Sequence, residues 1–233
     1  MNQLITARTA GILYLVTIVT AGFAEALVRG KLVVRTDAAA TATNILTHES
    51  LYRAGGVADV LNFVCYTIVI GLFFLLFRSV NKTVAIVSVL SGLIGCAAGA
   101  AVCVFHFVAL YVLTGVQYTS VFSVPQVQAL ALLMLRLQST SYSVGTVFFG
   151  CYCGLIGYLV FRSTFLPRVL GVLMLIAGSG YLIGIIARFL SPTVAAYLFP
   201  YILLPGFIAE LSLTLWLIVR AVNSERWTEA ASA

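Results

Sequence analysis

Six apolar stretches dominate the sequence, and each is long enough to cross a lipid bilayer as a helix. A crossing helix needs about 20 mostly apolar residues, because the hydrocarbon core is about 30 Å thick. Backbone polar groups in lipid must bond within their own segment, so stretches of this length are expected to be helical. The predicted spans cover residues 7–29, 52–78, 83–113, 141–161, 167–190 and 193–222.

The composition agrees with a chain that faces lipid. Of the 233 residues, 62% are hydrophobic and 9% are charged, whereas about 25% are charged in a typical soluble domain. The first apolar run has no clear small-residue cleavage site after it, so we expect the first helix rather than a signal peptide. The sequence predicts an all-α polytopic membrane bundle, a single domain over residues 1–233 with six transmembrane helices plus one or two short interfacial or re-entrant helices.

Two connections and one span depart from plain helices and loops. Residues 36–51 begin with an N-cap candidate, Thr36 or Asp37, and residues 125–137 begin with a proline followed by apolar residues at helical spacing. We expect either segment to lie along the membrane surface or to re-enter it, and the sequence leaves open whether they cap a pocket. The sixth span contains Pro200 and Pro205, and the backbone donors they lack predict a kink or a break.

The basic residues lie mostly near span ends and indicate an orientation. The net charge is +6, but no soluble module carries a basic stripe, so a nucleic-acid partner is not expected. The side that holds both termini collects Arg8, Arg78, Lys82, Arg162, Arg168, Arg220 and Arg226. The other side collects Arg29, Lys31, Arg35, Arg53, Arg136 and Arg188, four of them in the first connection. The short loops favour a multi-pass protein of the cell inner (plasma) membrane with both termini cytoplasmic.

Small residues inside the spans are interpreted as packing residues. The five cysteines all lie in apolar runs without a Cys-x-x-Cys pair, so we expect buried free thiols rather than disulfides or a metal site. Glycine pairs four residues apart let helix backbones approach closely, and they occur at Gly95/Gly99, Gly150/Gly154 and Gly180/Gly184. These pairs do not by themselves indicate a dimer, and a homo-oligomer stays open.

Polar residues inside the spans give the candidate site. A charge at mid-membrane costs about 2.5–3.5 kcal/mol, so such residues usually face the bundle interior with partners. Their positions along the spans predict one polar pocket that opens outward, with Gln138 on the same side. Glu25–Arg29 and Glu49–Arg53 have the favourable i,i+4 order, and both pairs could instead serve structure alone. The predicted ligand-binding residues are Glu25, Arg29, Glu49, Arg53, Asp59, His106, Arg188 and Glu210.

Catalytic and cofactor motifs are not found. The only histidines, His48 and His106, are far apart, so neither a catalytic metal nor a haem is expected. The chain has no G-x-S-x-G, no H-E-x-x-H and no phosphate-binding glycine loop. A proton relay that pairs Glu25 with Asp59 or Glu210 remains open. Catalytic residues stay unassigned.

Several segments together resemble a bacterial membrane family labelled domain of unknown function 4386. They are ARTAGILYL (7–15), FAEALVR (23–29), DAAATATNI (37–45), ESLYRAGGVAD (49–59), LLFRSVN (75–81), QVQALALL (126–133), FFGCYCGLIGYLVFRSTFLPRVLG (148–171) and ELSLTLWLIV (210–219). The resemblance implies the same membrane fold and no established activity. Family members often carry a histidine near position 138, where this chain has Gln138, which weighs against a mechanism that needs it.

Three hypotheses for function follow, in order of preference. The first is a protein that binds or transports a small molecule or lipid through the polar pocket, because broken helices often line substrate sites. The second is a non-catalytic partner or sensor subunit. The third is an intramembrane enzyme on a lipid-like substrate, with Asp59, Glu210 and His106 as acid–base groups.

Overall fold

Helices account for all the regular structure in the computed structural model, which describes residues 3–232 apart from the side chains of residues 116, 118, 192 and 230–232. Six of these helices are long and apolar enough to cross a membrane. They are span 1 (Gln3–Leu32), span 2 (Glu49–Phe77), span 3 (Lys82–Thr114), span 4 (Val124–Arg162), span 5 (Arg168–Leu190) and span 6 (Tyr201–Val219). The predicted all-α polytopic bundle is confirmed, and the chain is a multi-pass integral membrane protein.

Span 1 changes its winding near its end. It is α-helical over Gln3–Gly22, π-helical over Phe23–Arg29, and returns to an α-helical turn over Gly30–Leu32. A π turn bonds i to i+5 and is rare, and it often occurs at functional sites. This stretch contains Glu25 and Arg29. The sequence predicts an ordinary helix here, since no proline marks the change.

The first connection contains the predicted short helix. It spans Ala38–Thr47, and the side chain of Asp37 accepts a hydrogen bond from the Ala40 amide at 2.9 Å. Asp37 is therefore the N-cap, as one of the two predicted candidates. The Thr41 hydroxyl bonds to both backbone groups of Val34, each at 2.9 Å, and so holds this helix against the end of span 1.

Residues 125–137 do not form a helix of their own. They are the beginning of span 4, a continuous helix of 39 residues over Val124–Arg162. The predicted start of the fourth span near residue 141 is therefore wrong. The polar run from Gln138 to Ser143 suggested a boundary, but it contains neither glycine nor proline, and the helix continues through it. Span 4 is about 58 Å long at 1.5 Å per residue, well beyond the thickness of a bilayer core.

The sixth predicted span is broken, as its prolines indicate. A short helix over Pro192–Leu198 ends before Pro200, a 3₁₀ turn follows at Tyr201–Leu203, and the main helix runs over Leu204–Val219. Pro205 lies in the first turn of that helix, where its missing donor costs nothing. Two further helices, Val116–Thr119 and Ser224–Ser232, were not predicted from the sequence.

The chain forms two compact units. Unit 1 takes its described residues from Met1–Val16, Cys65–Cys96 and Ser143–Ala233, and unit 2 comprises Thr17–Val64 and Ala97–Tyr142. In unit 1, glycines bring backbones together, since a Cβ on Gly178 would lie 2.7 Å from the Gly150 carbonyl oxygen. The unit 2 core is a cluster of buried apolar side chains from spans 1 to 4 and the Ala38–Thr47 helix. They are Val28, Leu32, Ile45, Tyr52, Ala109, Leu110, Ala131 and Leu135.

Candidate functional site

Arg29 lies at the centre of an ion-pair cluster in unit 2. Its Nε donates to Glu25 Oε2 at 2.7 Å. Its Nη1 donates to Asp59 Oδ2 and its Nη2 to Asp59 Oδ1, the latter at 3.1 Å. Asp59 therefore binds the guanidinium with both oxygens, the geometry that makes an arginine–carboxylate pair strong. The i,i+4 pair of Glu25 and Arg29 is confirmed, and Asp59 supplies the long-range partner that the sequence leaves unassigned.

The two carboxylates of this cluster differ in exposure. The Asp59 side chain is 10% exposed and that of Arg29 is 19% exposed, whereas the Glu25 side chain is 66% exposed. The Asp59 side of the guanidinium is therefore closed and the Glu25 side is open. The π-helical turn holds both Glu25 and Arg29, so it sets the direction in which this open side points.

His106 and Tyr52 form a reciprocal pair beside this cluster. The Tyr52 hydroxyl donates to the His106 carbonyl, and His106 Nε2 bonds to the Tyr52 carbonyl, both at 2.8 Å. The two rings stack at 3.9 Å between centroids. A carbonyl oxygen can only accept, so Nε2 must carry the proton. Arg29 and Asp59 lie close enough for their charges to act on both Tyr52 and His106.

Two buried acceptor atoms of unit 2 lack a hydrogen-bond partner within the described residues. They are Nδ1 of His106, whose residue is fully buried, and Oε1 of Gln138, whose residue is 7% exposed. With the proton on Nε2, a neutral His106 offers Nδ1 as an acceptor. Buried acceptors normally have a partner, so each atom is a place where a donor on a ligand or a water would be stabilising.

Glu49 and Arg53 form a separate local pair at the start of span 2. Arg53 bonds to Glu49 Oε1 at 2.7 Å, with the arginine side chain 51% and the glutamate side chain 38% exposed. The predicted i,i+4 pair is confirmed. Both side chains are accessible enough that the pair contributes little to stability.

Glu210 belongs to unit 1, where tyrosines surround it. The Tyr181 hydroxyl donates to Glu210 Oε1 at 2.5 Å, and Tyr14 lies close to the same carboxyl group. Tyr14 packs edge-on against Tyr66 at 5.5 Å, and Tyr66 against Tyr152 at 5.8 Å. The buried carboxyl therefore has a phenol donor from span 5, and a polar partner of this kind is how a costly intramembrane acid is normally stabilised.

The structure places the eight predicted residues in both units. Unit 2 holds Glu25, Arg29, Glu49, Arg53, Asp59 and His106, and unit 1 holds Arg188 and Glu210. Glu25, Arg29 and Asp59 are joined by direct bonds, and Glu49 and Arg53 form their own pair. Arg188 is exposed near the end of span 5. One pocket shared by all eight stays a prediction. Among residues 3–232, no three His, Cys, Asp or Glu side chains are grouped as metal ligands would be.

Sequence reasoning missed the tyrosines. Tyr52 lies between Glu49 and Arg53 in a segment already singled out, so its position was a usable signal. Tyr14 and Tyr181 reach Glu210 from 196 and 29 residues away in sequence, and no local spacing predicts either contact. Tyrosine inside an apolar run is the only clue, because a buried hydroxyl needs a partner.

These features define a polytopic α-helical membrane protein with charged side chains paired inside its spans. The chain belongs to the family described as "Domain of unknown function (DUF4386)", whose match covers residues 9–221. The resemblance drawn from the sequence is therefore confirmed.

An archaeal protein shares part of this sequence. It is an uncharacterized protein of Archaeoglobus fulgidus that is 32% identical over 77 residues, which is 33% of this chain and 44% of that protein. The match thus spans less than half the length of the relative. No solved structure matches the chain.

Proposed function

We propose that this protein binds or transports a small molecule or lipid at the Arg29 cluster, defined as Glu25, Arg29, Asp59, Tyr52 and His106. The proposal depends on one observation. The Glu25 carboxylate bonds to Arg29 and stays exposed, although Asp59 already binds that arginine with both oxygens. One bidentate carboxylate would be enough to neutralise Arg29 as a structural brace. The second carboxylate is open to its surroundings, so a ligand can compete for it.

The charges of the cluster favour a ligand that is cationic or rich in hydrogen-bond donors. Two carboxylates around one guanidinium leave a net charge of −1. Within the described residues, the one buried side-chain atom of this cluster without a hydrogen-bond partner is His106 Nδ1, and it is an acceptor. A protonated amine on an otherwise apolar molecule complements this set, because it brings donors and positive charge while the rest of the ligand stays in lipid.

The location of the cluster follows the orientation inferred from the basic residues. With both termini in the cytoplasm of a cell inner membrane, Glu25 near the end of span 1 and Asp59 early in span 2 belong to the outer half of the membrane. The ligand therefore enters from the outer side. The π-helical turn that holds Glu25 and Arg29 supports a functional site, since such turns are costly and recur where ligands bind.

Native mass spectrometry of the protein purified gently from its own membranes tests the proposal. We expect a reproducible extra mass on the wild-type chain and its loss in Asp59→Asn, which removes one charge but keeps an acceptor. Glu225→Gln is the matched control, because Glu225 is an exposed carboxylate outside the spans. A wild-type chain without any bound mass, or Asp59→Asn that keeps the mass at equal occupancy, would refute the proposal. Helical circular dichroism confirms that each variant is folded.

A further inference from the structure

An apolar groove of about 690 Å³ lies between spans 3, 4 and 5 in unit 1. Span 3 contributes Ser91 and Ile94, span 4 contributes Gly154, and span 5 contributes Gly178 and Leu182. The hydroxyl of Ser91 is already bonded to the Phe148 carbonyl at 2.8 Å. The groove thus offers hydrocarbon walls and fits an apolar chain rather than a polar molecule.

Glycines of spans 4 and 5 create the groove. A Cβ on Gly178 would lie 2.7 Å from the backbone of span 4, so the two helices touch directly at that residue. A Cβ on Gly154 would meet no heavy atom within 4 Å. The two helices touch at Gly178, whereas the space in front of Gly154 is open. This open space forms a channel along the helix pair. A larger side chain at Gly154 would occupy this channel without displacing the neighbouring helices.

Three basic residues lie beyond one end of the groove. Lys82 begins span 3, Arg162 ends span 4 and Arg168 begins span 5, and all three are exposed. Consecutive spans are antiparallel, so these residues are at the same end of the three helices. Arg162 and Arg168 are about 10 Å along the axis from the groove residues Leu155 and Leu175.

These basic residues are free to bind an anion. None of the three has an ion pair with a carboxylate in the part of the chain that the structure describes. Arg168 lies over the ring of Phe161, 5.9 Å from its centroid, which holds its guanidinium beside span 4. Lysine and arginine stems are long and apolar, so their charged ends can reach the headgroup level while the stems cover the groove end.

A second copy of this chain fits the groove less well than a lipid does. In a parallel two-fold pair, the partner would bring its own Lys82, Arg162 and Arg168 toward the same end, where six like charges would repel each other. A lipid brings the complementary charge. Basic pockets between helices attract anionic headgroups for this reason.

We propose that this groove binds an acyl chain of an anionic phospholipid whose phosphate is bound by Lys82, Arg162 and Arg168. The site is built by unit 1 residues, whereas the Arg29 cluster belongs to unit 2, so the two sites can be tested separately. The lipid fills the space that Gly154 leaves open and stabilises the packing of spans 3, 4 and 5.

Lipid titration followed by native mass spectrometry tests this proposal on the full chain in detergent. The probes are dioleoyl phosphatidylglycerol and dioleoyl phosphatidylcholine, which share acyl chains and differ in headgroup charge. We expect the wild type to retain phosphatidylglycerol more strongly. In Lys82→Gln/Arg162→Gln/Arg168→Gln its affinity should fall by roughly fivefold for each basic residue removed. Arg8→Gln/Arg78→Gln/Arg220→Gln, three exposed arginines of unit 1, loses the same charge and should behave as the wild type.

A second variant separates the groove from the charges. Gly154→Leu should lower the occupancy of both lipids, whereas Gly71→Leu should not, because a Cβ on Gly71 of span 2 also meets open space but lies outside the groove. Equal retention of the two lipids by the wild type would overturn the proposal. Gly154→Leu with undiminished lipid binding would do so as well, and so would a dimer that disappears in this variant.

Discussion

Two carboxylates bind the guanidinium of Arg29 from different sides. The Asp59 carboxylate is buried, whereas the Glu25 carboxylate is mostly exposed. The Asp59 carboxylate is buried in unit 2 and needs the positive charge of Arg29, because an uncompensated charge in a poorly hydrated site is costly. Glu25 depends on Arg29 far less, since most of its side chain is exposed. The same arginine therefore stabilises the fold through Asp59 and leaves the Glu25 carboxylate exposed, as the proposed binding role requires.

Removing Arg29 should destabilise the protein strongly. Arg29→Ala leaves Asp59 without its partner, and breaking a buried pair in this way costs about 3–5 kcal/mol. Arg53→Ala breaks an exposed pair of the same i,i+4 type and should cost about 0–1 kcal/mol. Thermal unfolding in detergent, followed by helical circular dichroism, compares the two variants. Equal losses would contradict the unequal burial of the two pairs.

The Tyr181 hydroxyl should contribute to stability through Glu210. Tyr181→Phe removes a donor to a buried carboxyl group, and leaving a buried polar group without its partner costs about 1–3 kcal/mol. Tyr197→Phe is the control, because Tyr197 is 81% exposed. The same unfolding measurement should show a lower transition temperature for Tyr181→Phe alone. An unchanged temperature would mean that the bond to Glu210 has no net effect.

At the scale of the helices, glycines decide how closely the spans of unit 1 approach each other. Gly178 has span 4 backbone against it, and Gly157 has the Gly171 carbonyl oxygen 2.9 Å from the position of a Cβ. The spans predicted from apolar runs agree with the observed ones where proline or charge marks the end. They differ in span 4, because a polar run without glycine or proline does not end a helix.

The site was less predictable than the helices. Glu25 and Arg29 are paired by local spacing, which the sequence displays. The contact of Arg29 with Asp59 depends on how spans 1 and 2 pack, and no local sequence signal marks the π turn. Neither is encoded by periodicity in one segment, so a single sequence could indicate the polar residues but not their partners.

Alanine at two glycines on the same helix pair should have opposite effects. Gly178→Ala places a methyl group 2.7 Å from span 4 backbone atoms and should force spans 4 and 5 apart, with an overpacking cost of about 1–3 kcal/mol. Gly154→Ala meets open space and should be neutral or stabilising by about 0.5–1 kcal/mol, because alanine favours the helix. Unfolding curves for both variants test this, and a destabilised Gly154→Ala would contradict the open geometry.

At the scale of the whole molecule, an even number of spans places both termini on one side of the membrane. The short loops with basic residues predict that this side is the cytoplasm, and the orientation stays a prediction. The first connection carries positive charge on the opposite side, but it is a longer segment with a helix and with carboxylates beside its arginines. The orientation decides whether the Arg29 cluster opens outward.

Thiol labelling of intact cells tests the orientation. Val121→Cys lies in the exposed connection between spans 3 and 4, and Thr164→Cys lies in the exposed connection between spans 4 and 5. A membrane-impermeant maleimide should label Val121→Cys directly and Thr164→Cys only after the cells are permeabilised. The wild type, with its five native cysteines, gives the background. The reverse labelling pattern would place the termini outside.

The central claim, that the Arg29 cluster binds a ligand rather than only bracing two spans, is tested most directly by the double variant Arg29→Met/Asp59→Leu. Apolar residues of similar volume often replace a buried ion pair with neutral or stabilising effect, so folding should survive. Native mass spectrometry then compares this variant with the wild type from the same membranes. We predict a folded protein that has lost the bound mass. A folded variant that carries the ligand at wild-type occupancy would contradict the account.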